Sequence, residues 1–209
     1  HNLAICARNE ENLKSLKKEL ETKYSGIQVL IKSTDISKRK DVLAFAEAAL
    51  KMFGSIDVLI NNGGIFLSGS TCEENEGTLE KLIETNLYSA YHLTRAIVPF
   101  MTSSAKPHIF NMCSIASQTA YPNGGSYSIS KFALLGFTKV LRQELLDKGI
   151  RVTAVLPGAT WSDSWAGVDL PQERLMDAAD IADTIWAAYS LKKSAVVEEV
   201  IIRPQLGDL

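Results

Sequence analysis

Three side chains near the middle of the chain have the types and the spacing that proton transfer requires. Tyr127 and Lys131 are four residues apart, so a helix would place them on one face. An ammonium group beside a phenol favours the phenolate form and so lowers the pKa of the tyrosine. Ser114 precedes Tyr127 by thirteen residues, across a turn-rich segment at 121–125 that can fold back. The three residues are therefore candidates for a site in which a tyrosine gives or takes a proton near neutral pH.

The apolar pattern of the chain indicates how these side chains are brought together. Short apolar runs, which predict strands, alternate with segments whose apolar residues recur at helical spacing. Strands without a polar face are buried on both sides, which predicts an α/β fold with a parallel sheet between two layers of helices. The predicted strands cover 3–7, 28–35, 56–61, 109–113, 151–156 and 196–203. The predicted helices follow caps at Asn9 and Ser37 or cover 78–101, 128–146 and 179–190.

The distinctive polar residues and glycines follow the predicted strands. In open parallel sheets, ligands bind beyond the carboxyl ends of the strands. This placement is a stronger functional signal than any single motif in the chain. The residues concerned are Arg8, Asp35, Asn61 to Gly64, Ser114 and the run 157–162.

The composition limits the classes of function. The 209 residues, 46% of them hydrophobic, suffice for one core and one domain, and a net charge of −2 provides no basic excess for nucleic acid or anionic lipid. Cys6, Cys72 and Cys113 are far apart, which argues against a disulfide framework or a metal site and favours a reducing, cytoplasmic location. The chain has no apolar run of about 18 residues, so we expect no membrane span.

Taken together, the motifs resemble those of the short-chain dehydrogenase/reductase family over nearly the whole chain. A Tyr-x-x-x-Lys pattern alone arises often by chance, and an ordinary exposed helix pair is its alternative interpretation. Gly63 departs from the family's usual alanine by one methyl group. The resemblance implies a Rossmann-like doubly wound sheet in a single domain, 1–209, and an oxidoreductase that interconverts a small carbonyl compound and its alcohol. The matching motifs are Asn61-Asn62-Gly63-Gly64, Asn86, Ser114, Tyr127-x-x-x-Lys131 and Pro157-Gly158.

The resemblance also assigns catalytic roles. Tyr127 would protonate the carbonyl oxygen as hydride arrives, and Lys131 would lower its pKa and bind the nicotinamide ribose. Ser114 would orient the carbonyl group and stabilise charge on its oxygen. Asn86 would hold a water that links Lys131 to solvent, within a locally disturbed helix. If the family resemblance is set aside, the alternative interpretation of Ser114 is the cap of a turn, and that of Asn86 is a tolerated polar residue in a helix.

The residue after the first predicted strand bears on the choice of cofactor. Enzymes specific for NAD usually place an acid there, whereas this chain has Arg8, which can pair with a 2′-phosphate. NADP(H) is therefore favoured over NAD(H), with an Arg8 that points into solvent as the alternative. Asp35 either contacts the adenine, as in the family, or caps the following helix. The residues expected at the cofactor are Arg8, Asp35, Ile36, Asn62, Gly63, Tyr127, Lys131, Pro157, Gly158, Thr160 and Ser162.

One part of the family pattern does not occur in the sequence. The first βα unit of about 30 residues, with its glycine-rich phosphate loop, would precede Leu3. We therefore expect the sequence to be incomplete and its central sheet to be interrupted. The C-terminal half resembles bacterial sepiapterin-reductase-like and 3-oxoacyl-carrier-protein-reductase-like members of the family. Trp161 and Trp165 fall in the family's substrate-covering segment, where they either line the substrate site or pack on the protein.

Two further expectations follow from the family. Its members usually assemble through the two long helices, so we expect a homodimer or homotetramer. Ile129, Leu134 and Phe137 suit such an interface, although burial in the core explains them as well. The alternative function is a non-catalytic, nucleotide-binding regulatory or scaffold protein on the same fold, for which the proton-donor set would have no use.

Overall fold

Strands and helices alternate along residues 1–101, 104–162, 171 and 174–207, which the computed structural model describes. The strands are β1 (Leu3–Ala7), β2 (Val29–Ser33), β3 (Val58–Asn61), β4 (His108–Met112), β5 (Arg151–Pro157) and β6 (Glu199–Ile202). The helices are α1 (Glu10–Lys23), α2 (Arg39–Phe53), α3 (Thr78–Ile83), α4 (Ser89–Ile97), α5 (Gly125–Glu144) and α6 (Ala178–Ser190). A single turn of π-helix, Glu84–Tyr88, joins α3 to α4 and is called the π-turn below. Short 3₁₀ turns follow at Val98–Phe100 and Ile115–Ser117.

Every strand pairing in the described residues is parallel, as the sequence predicts. The strands form two hydrogen-bonded groups, β1-β2 and β3-β4-β5-β6. The register aligns Leu3 with Val29 in the first group and Asn61 with Asn111 in the second. No ladder joins the two groups in the part of the chain that the structure describes, which agrees with the predicted interruption of the sheet.

The core has a layer on each face of the larger sheet. Along β4, Ile109 belongs to the cluster beneath α4 and α5, whereas the next residue, Phe110, packs against α6. Both side chains are fully buried. Complete burial of a side chain of this size stabilises the fold by about 1.5–3 kcal/mol, so the alternation along one strand holds helices to both faces.

Most predicted elements are confirmed, and the differences lie at their ends. Helix α2 begins at Arg39, and its N-cap is Lys38 and not the predicted Ser37. The backbone amide and the hydroxyl of Ser37 both donate to the Asp35 carboxylate instead. Helix α5 begins three residues before the predicted start, at Gly125. The predicted long helix 78–101 is divided by the π-turn.

The interface residues suggested on α5 separate into two groups. Ile129 is exposed, whereas Leu134 and Phe137 pack in the core, so their apolar character is explained without a partner. No helix among the described residues is long and apolar enough to cross a membrane.

Candidate active site

Ser114 and Tyr127 meet at the carboxyl end of the larger sheet. Ser114 follows β4, and Tyr127 lies in the first turn of α5. The Ser114 hydroxyl accepts a hydrogen bond from the Ala116 backbone at 3.1 Å, so it caps the short 3₁₀ turn. The same hydroxyl lies close enough to the phenol of Tyr127 to lower the pKa of the tyrosine. The turn-cap and the site interpretations of Ser114 are therefore compatible.

Burial controls the acidity of Tyr127. Loss of solvent around the phenol raises its pKa, and the nearby Ser114 hydroxyl opposes this effect. The predicted lowering by Lys131 is not seen in this structure. A phenol with a raised pKa keeps its proton near neutral pH, which suits a proton donor.

Lys131 is buried next to Tyr127. Its Nζ donates to the Met112 carbonyl oxygen at 2.8 Å and lies 5.8 Å from the centre of the Tyr127 ring. Burial lowers the pKa of Lys131 to about 8. An ammonium group has three donors, so two remain for other acceptors at this site.

Asn86 lies in the π-turn, as the family resemblance implies for a disturbed helix. Its amide oxygen accepts from the Ile65 backbone at 2.8 Å, and its amide nitrogen donates to the Ile65 carbonyl at 3.0 Å. The same nitrogen donates to Ser130 at 3.0 Å, and Ser130 donates to the Tyr127 carbonyl at 2.7 Å. Asn86 thus connects the loop after β3 to the helix that carries Tyr127. π-Turns are frequent at functional sites.

An aromatic residue that the sequence analysis missed stands against Tyr127. Phe66 presents its ring edge-on to the tyrosine, with ring centres 4.8 Å apart and planes at 83°. The Phe66 side chain is 43% exposed. Its position two residues after the glycine pair, in a loop held by Asn86, was the only signal available in the sequence.

The loops after β2 and β3 are in direct contact. Ile36 fills the space beside Gly63, so that a methyl group at position 63 would overlap its Cδ1. A methyl group at Gly64 would lie 3.1 Å from the Asn86 amide oxygen and 3.7 Å from Lys131 Nζ. The lack of a side chain at both glycines therefore lets Ile36, Asn86 and Lys131 come close to this loop. The two further donors of Lys131 fit the ribose hydroxyls of a nucleotide bound against the loop.

Arg8 and Asp35 border the same edge. Arg8 follows β1 and is exposed, and its carbonyl accepts from the Ser33 hydroxyl at 3.1 Å. The Asp35 carboxylate accepts from the Ser37 hydroxyl at 2.7 Å, which is the main cause of its lowered pKa. Asp35 therefore forms a local turn with Ser37 and does not cap α2, whose N-cap, Lys38, has no side-chain cap hydrogen bond. The partly exposed Asp35 carboxylate keeps further acceptor capacity.

The loop after β5 is fixed by backbone hydrogen bonds. Gly158 donates to Ile202 at 2.8 Å, and Trp161 donates to Met176 at 2.9 Å. The Thr160 hydroxyl donates to the Gly158 carbonyl at 3.0 Å. Ser162 is exposed at the end of this loop. The Trp161 side chain is 47% exposed, and Trp165 lies outside the described residues.

Asn111 is a second residue that the sequence analysis missed. It accepts from Asn61 at 2.7 Å and donates to Thr138 of α5 at 2.9 Å, while Asn61 also donates to Thr94 of α4 at 3.0 Å. These buried amides fix both long helices on the sheet below Tyr127. An asparagine inside the apolar run of β4 was the available signal.

Comparisons with known proteins agree with this geometry. The family model described as short chain dehydrogenase matches residues 1–172. The chain is similar to the sepiapterin reductase of Chlorobaculum tepidum, with 31% identity over 208 residues that cover 99% of this chain and 84% of the relative. It is also similar to a diacetyl reductase, (S)-acetoin forming, of Staphylococcus epidermidis, with 33% identity over 190 residues that cover 90% of this chain and 73% of the relative.

A solved structure supports the fold in the same way. The alcohol dehydrogenase of the archaeon Thermococcus sibiricus, complexed with 5-hydroxy-NADP, superimposes with a TM-score of 0.91 at 25% identity. The match covers 100% of this chain and 88% of that one. The parallel sheet with its surrounding helices is therefore a Rossmann-like α/β fold.

Proposed function

The chain belongs to the short-chain dehydrogenase family, and on that premise we propose that it reduces a small carbonyl compound to its alcohol, or catalyses the reverse, with NADP(H) and with Tyr127 as proton donor. The observation that carries the proposal is the placement of Ser114, Tyr127 and the buried Lys131 together at the carboxyl end of the sheet, with Lys131 Nζ 5.8 Å from the centre of the Tyr127 ring. The relatives named for the reduction of sepiapterin and diacetyl support carbonyl reduction as the reaction type.

The side chains of the site have separate tasks. The bound nicotinamide supplies or accepts hydride. Tyr127 gives its proton to the carbonyl oxygen, and Ser114 directs its hydroxyl hydrogen to that oxygen. Lys131 favours the phenolate that remains and binds the ribose hydroxyls. Asn86 holds the Ile65 backbone and the first turn of α5 in register.

The cofactor is proposed to lie across the loops at the carboxyl edge. Arg8 would pair with the 2′-phosphate, and the solved Thermococcus sibiricus relative is named for its NADP derivative, which supports this preference. Ile36 and Gly63 are in contact, as two residues on one face of the adenosine would be. The remaining residues proposed at the cofactor are Asp35, Asn62, Tyr127, Lys131, Pro157, Gly158, Thr160 and Ser162.

Assembly and location belong to the same proposal. Ile129, Phe132 and Val140 of α5 are exposed apolar side chains, which supports a homodimer or homotetramer. The three cysteines are free, which supports a reducing compartment such as the cytoplasm.

The test is NADPH consumption by the whole protein with a panel of carbonyl compounds. We expect Tyr127→Phe to lower kcat by about 10³-fold, because the ring stays and only the proton donor is lost. Tyr24→Phe, at the exposed end of α1, is the matched control and should leave kcat unchanged. Turnover that survives Tyr127→Phe would overturn the assigned mechanism. A protein that binds NADPH and turns over none of the panel would favour the regulatory alternative.

A further inference from the structure

The segment after β3 is fastened to the start of α5. The Gly69 amide donates to the Asn123 carbonyl oxygen at 3.0 Å, and the Ser68 hydroxyl donates to the same oxygen at 3.3 Å. The carboxylate of Glu74 accepts from both the hydroxyl and the backbone amide of Ser126. These contacts join residues about fifty positions apart in the sequence. We call residues 67–76 the latch segment.

Gly125 shows how closely the latch segment approaches. Its φ of +34° lies in the region that favours glycine. A methyl group on Gly125 would overlap the Gly69 carbonyl oxygen and lie 3.0 Å from a Glu74 carboxylate oxygen. The start of α5 is thus shaped to accept the latch segment and Glu74 in particular.

Glu74 contacts the residue immediately before Tyr127. The first amides of a helix lack partners within the helix, and a carboxylate near them is stabilising. Ser126 is buried, so its hydroxyl and amide depend on partners from the protein. In the described part of the chain, Glu74 provides the acceptor for both.

We propose that Glu74 is a positioning residue, which fixes the first turn of α5 so that the Tyr127 phenol stays within reach of Ser114. This inference rests on the proposed function, because it assigns a purpose to the position of Tyr127. Glu74 contributes in two separable ways. Its oxygens accept hydrogen bonds from Ser126, and its negative charge lies near the first amides of α5, where a carboxylate is stabilising.

Three variants separate these contributions. Glu74→Ala removes the acceptor and the charge, whereas Glu74→Gln keeps an acceptor oxygen and removes only the charge. Glu73→Gln is the matched control, because Glu73 is exposed, adjacent and of the same charge. The proposed cofactor contacts outside α5, at Arg8, Ile36 and Gly63, do not involve Glu74, so the KM for NADPH should change much less than kcat.

We expect Glu74→Ala to lower kcat by about tenfold or more, since small displacements of reacting groups have large effects, with the KM for NADPH within about twofold of the parent. Glu74→Gln should recover most of kcat, because it keeps an acceptor oxygen for Ser126. Glu73→Gln should match the parent in kcat and in the KM for NADPH. Full kcat in Glu74→Ala, or equal losses in Glu73→Gln, would overturn the proposal.

Amide hydrogen exchange gives a readout that does not depend on activity. The first turn of α5 should exchange faster in Glu74→Ala than in the parent or in Glu73→Gln. If Glu74→Ala does not fold, Ser126→Ala, which removes one donor to Glu74, should give the same change at smaller amplitude. Unchanged exchange would contradict positioning by Glu74. Absence of turnover in the parent together with faster exchange in the variant would reject the proposed function and still show that Glu74 fixes the first turn of α5.

Discussion

Lys131 and Arg8 are both cationic side chains, but Lys131 is buried and Arg8 is exposed to solvent. Lys131 is buried, and its pKa of about 8 means that part of its charge is lost slightly above neutral pH. Arg8 is exposed, and its guanidinium presents a planar fork of hydrogen-bond donors to solvent. The charge of the buried cation therefore varies near neutral pH, whereas the exposed cation is suited to attracting an anionic ligand.

At this scale we expect Arg8→Ala to weaken the use of NADPH and not of NADH. Loss of one charge-assisted contact with a 2′-phosphate should raise the KM for NADPH about tenfold, and NADH lacks that phosphate. Steady-state kinetics with both cofactors measure the effect. Lys18→Ala, on the exposed side of α1, removes the same charge elsewhere and should change neither KM. Equal changes for NADPH and NADH in Arg8→Ala would exclude a 2′-phosphate contact.

At the scale of elements, the site is formed by loops that follow parallel strands and therefore lie at the same edge of the sheet. Helix α5 carries Tyr127 and Lys131 in its first two turns. Farther along, its Thr138 accepts a hydrogen bond from Asn111 of β4, so the same helix connects the site to the buried asparagines of the sheet. On the other side, the loops after β2 and β3 meet where Ile36 contacts Gly63. These contacts bring the predicted catalytic and cofactor residues to one edge.

We expect Gly63→Ala, which restores the family's usual residue, to impair this chain. The added methyl group would displace the Ile36 side chain and should raise the KM for NADPH about fivefold, equivalent to ~1 kcal/mol. Ile36→Val removes the overlapping atom, so the double variant should regain the parental KM. Gly136→Ala is the control, because that position on α5 is open. A Gly63→Ala protein with the parental KM for NADPH would contradict the prediction, since it would show that the Ile36 side chain moves aside without weakening the use of NADPH.

The sequence was informative where local pattern and chemistry coincide. The alternation of apolar runs predicted the parallel α/β fold, and the Tyr127–Lys131 spacing predicted their shared helix. Phe66, Asn111 and Glu74 escaped because their partners are distant in sequence, and local periodicity contains no information on such pairs. The direction of the Tyr127 pKa shift was missed for a related reason, since burial depends on the whole packing around the phenol.

At the scale of the whole molecule, His108 makes stability sensitive to acid. It is fully buried at the start of β4, stacked on Phe110, with its Nε2 2.7 Å from the Thr153 hydroxyl. Thr153 donates its only hydrogen to the Val197 carbonyl, so His108 Nε2 must be the donor to Thr153. Its Nδ1 has no hydrogen-bond partner. Burial, with a smaller effect from Arg151, lowers the pKa of His108 to about 3.

We therefore expect the free energy of unfolding to fall as the pH drops below about 6.5. In that range the unfolded chain binds a proton at His108 and the folded chain does not, so stability is lost progressively toward pH 3. The contribution of His108 between pH 7 and pH 5 should be about 2 kcal/mol. Urea unfolding of the parent and His108→Leu across this range measures it. Parallel pH curves for the two proteins would contradict the assignment.

The helix that continues from the π-turn at Glu84–Tyr88 into α4 also limits how this chain can change length. An α-helix advances by about 100° per residue, so deletion of one residue from α4 would rotate everything before it relative to everything after it. Asn86 must face Ile65, and Thr94, eight residues later, must face Asn61. A single-residue deletion between these two positions would turn one of them away from its partner. Point substitutions on the exposed side of this helix should be tolerated far better than insertions or deletions.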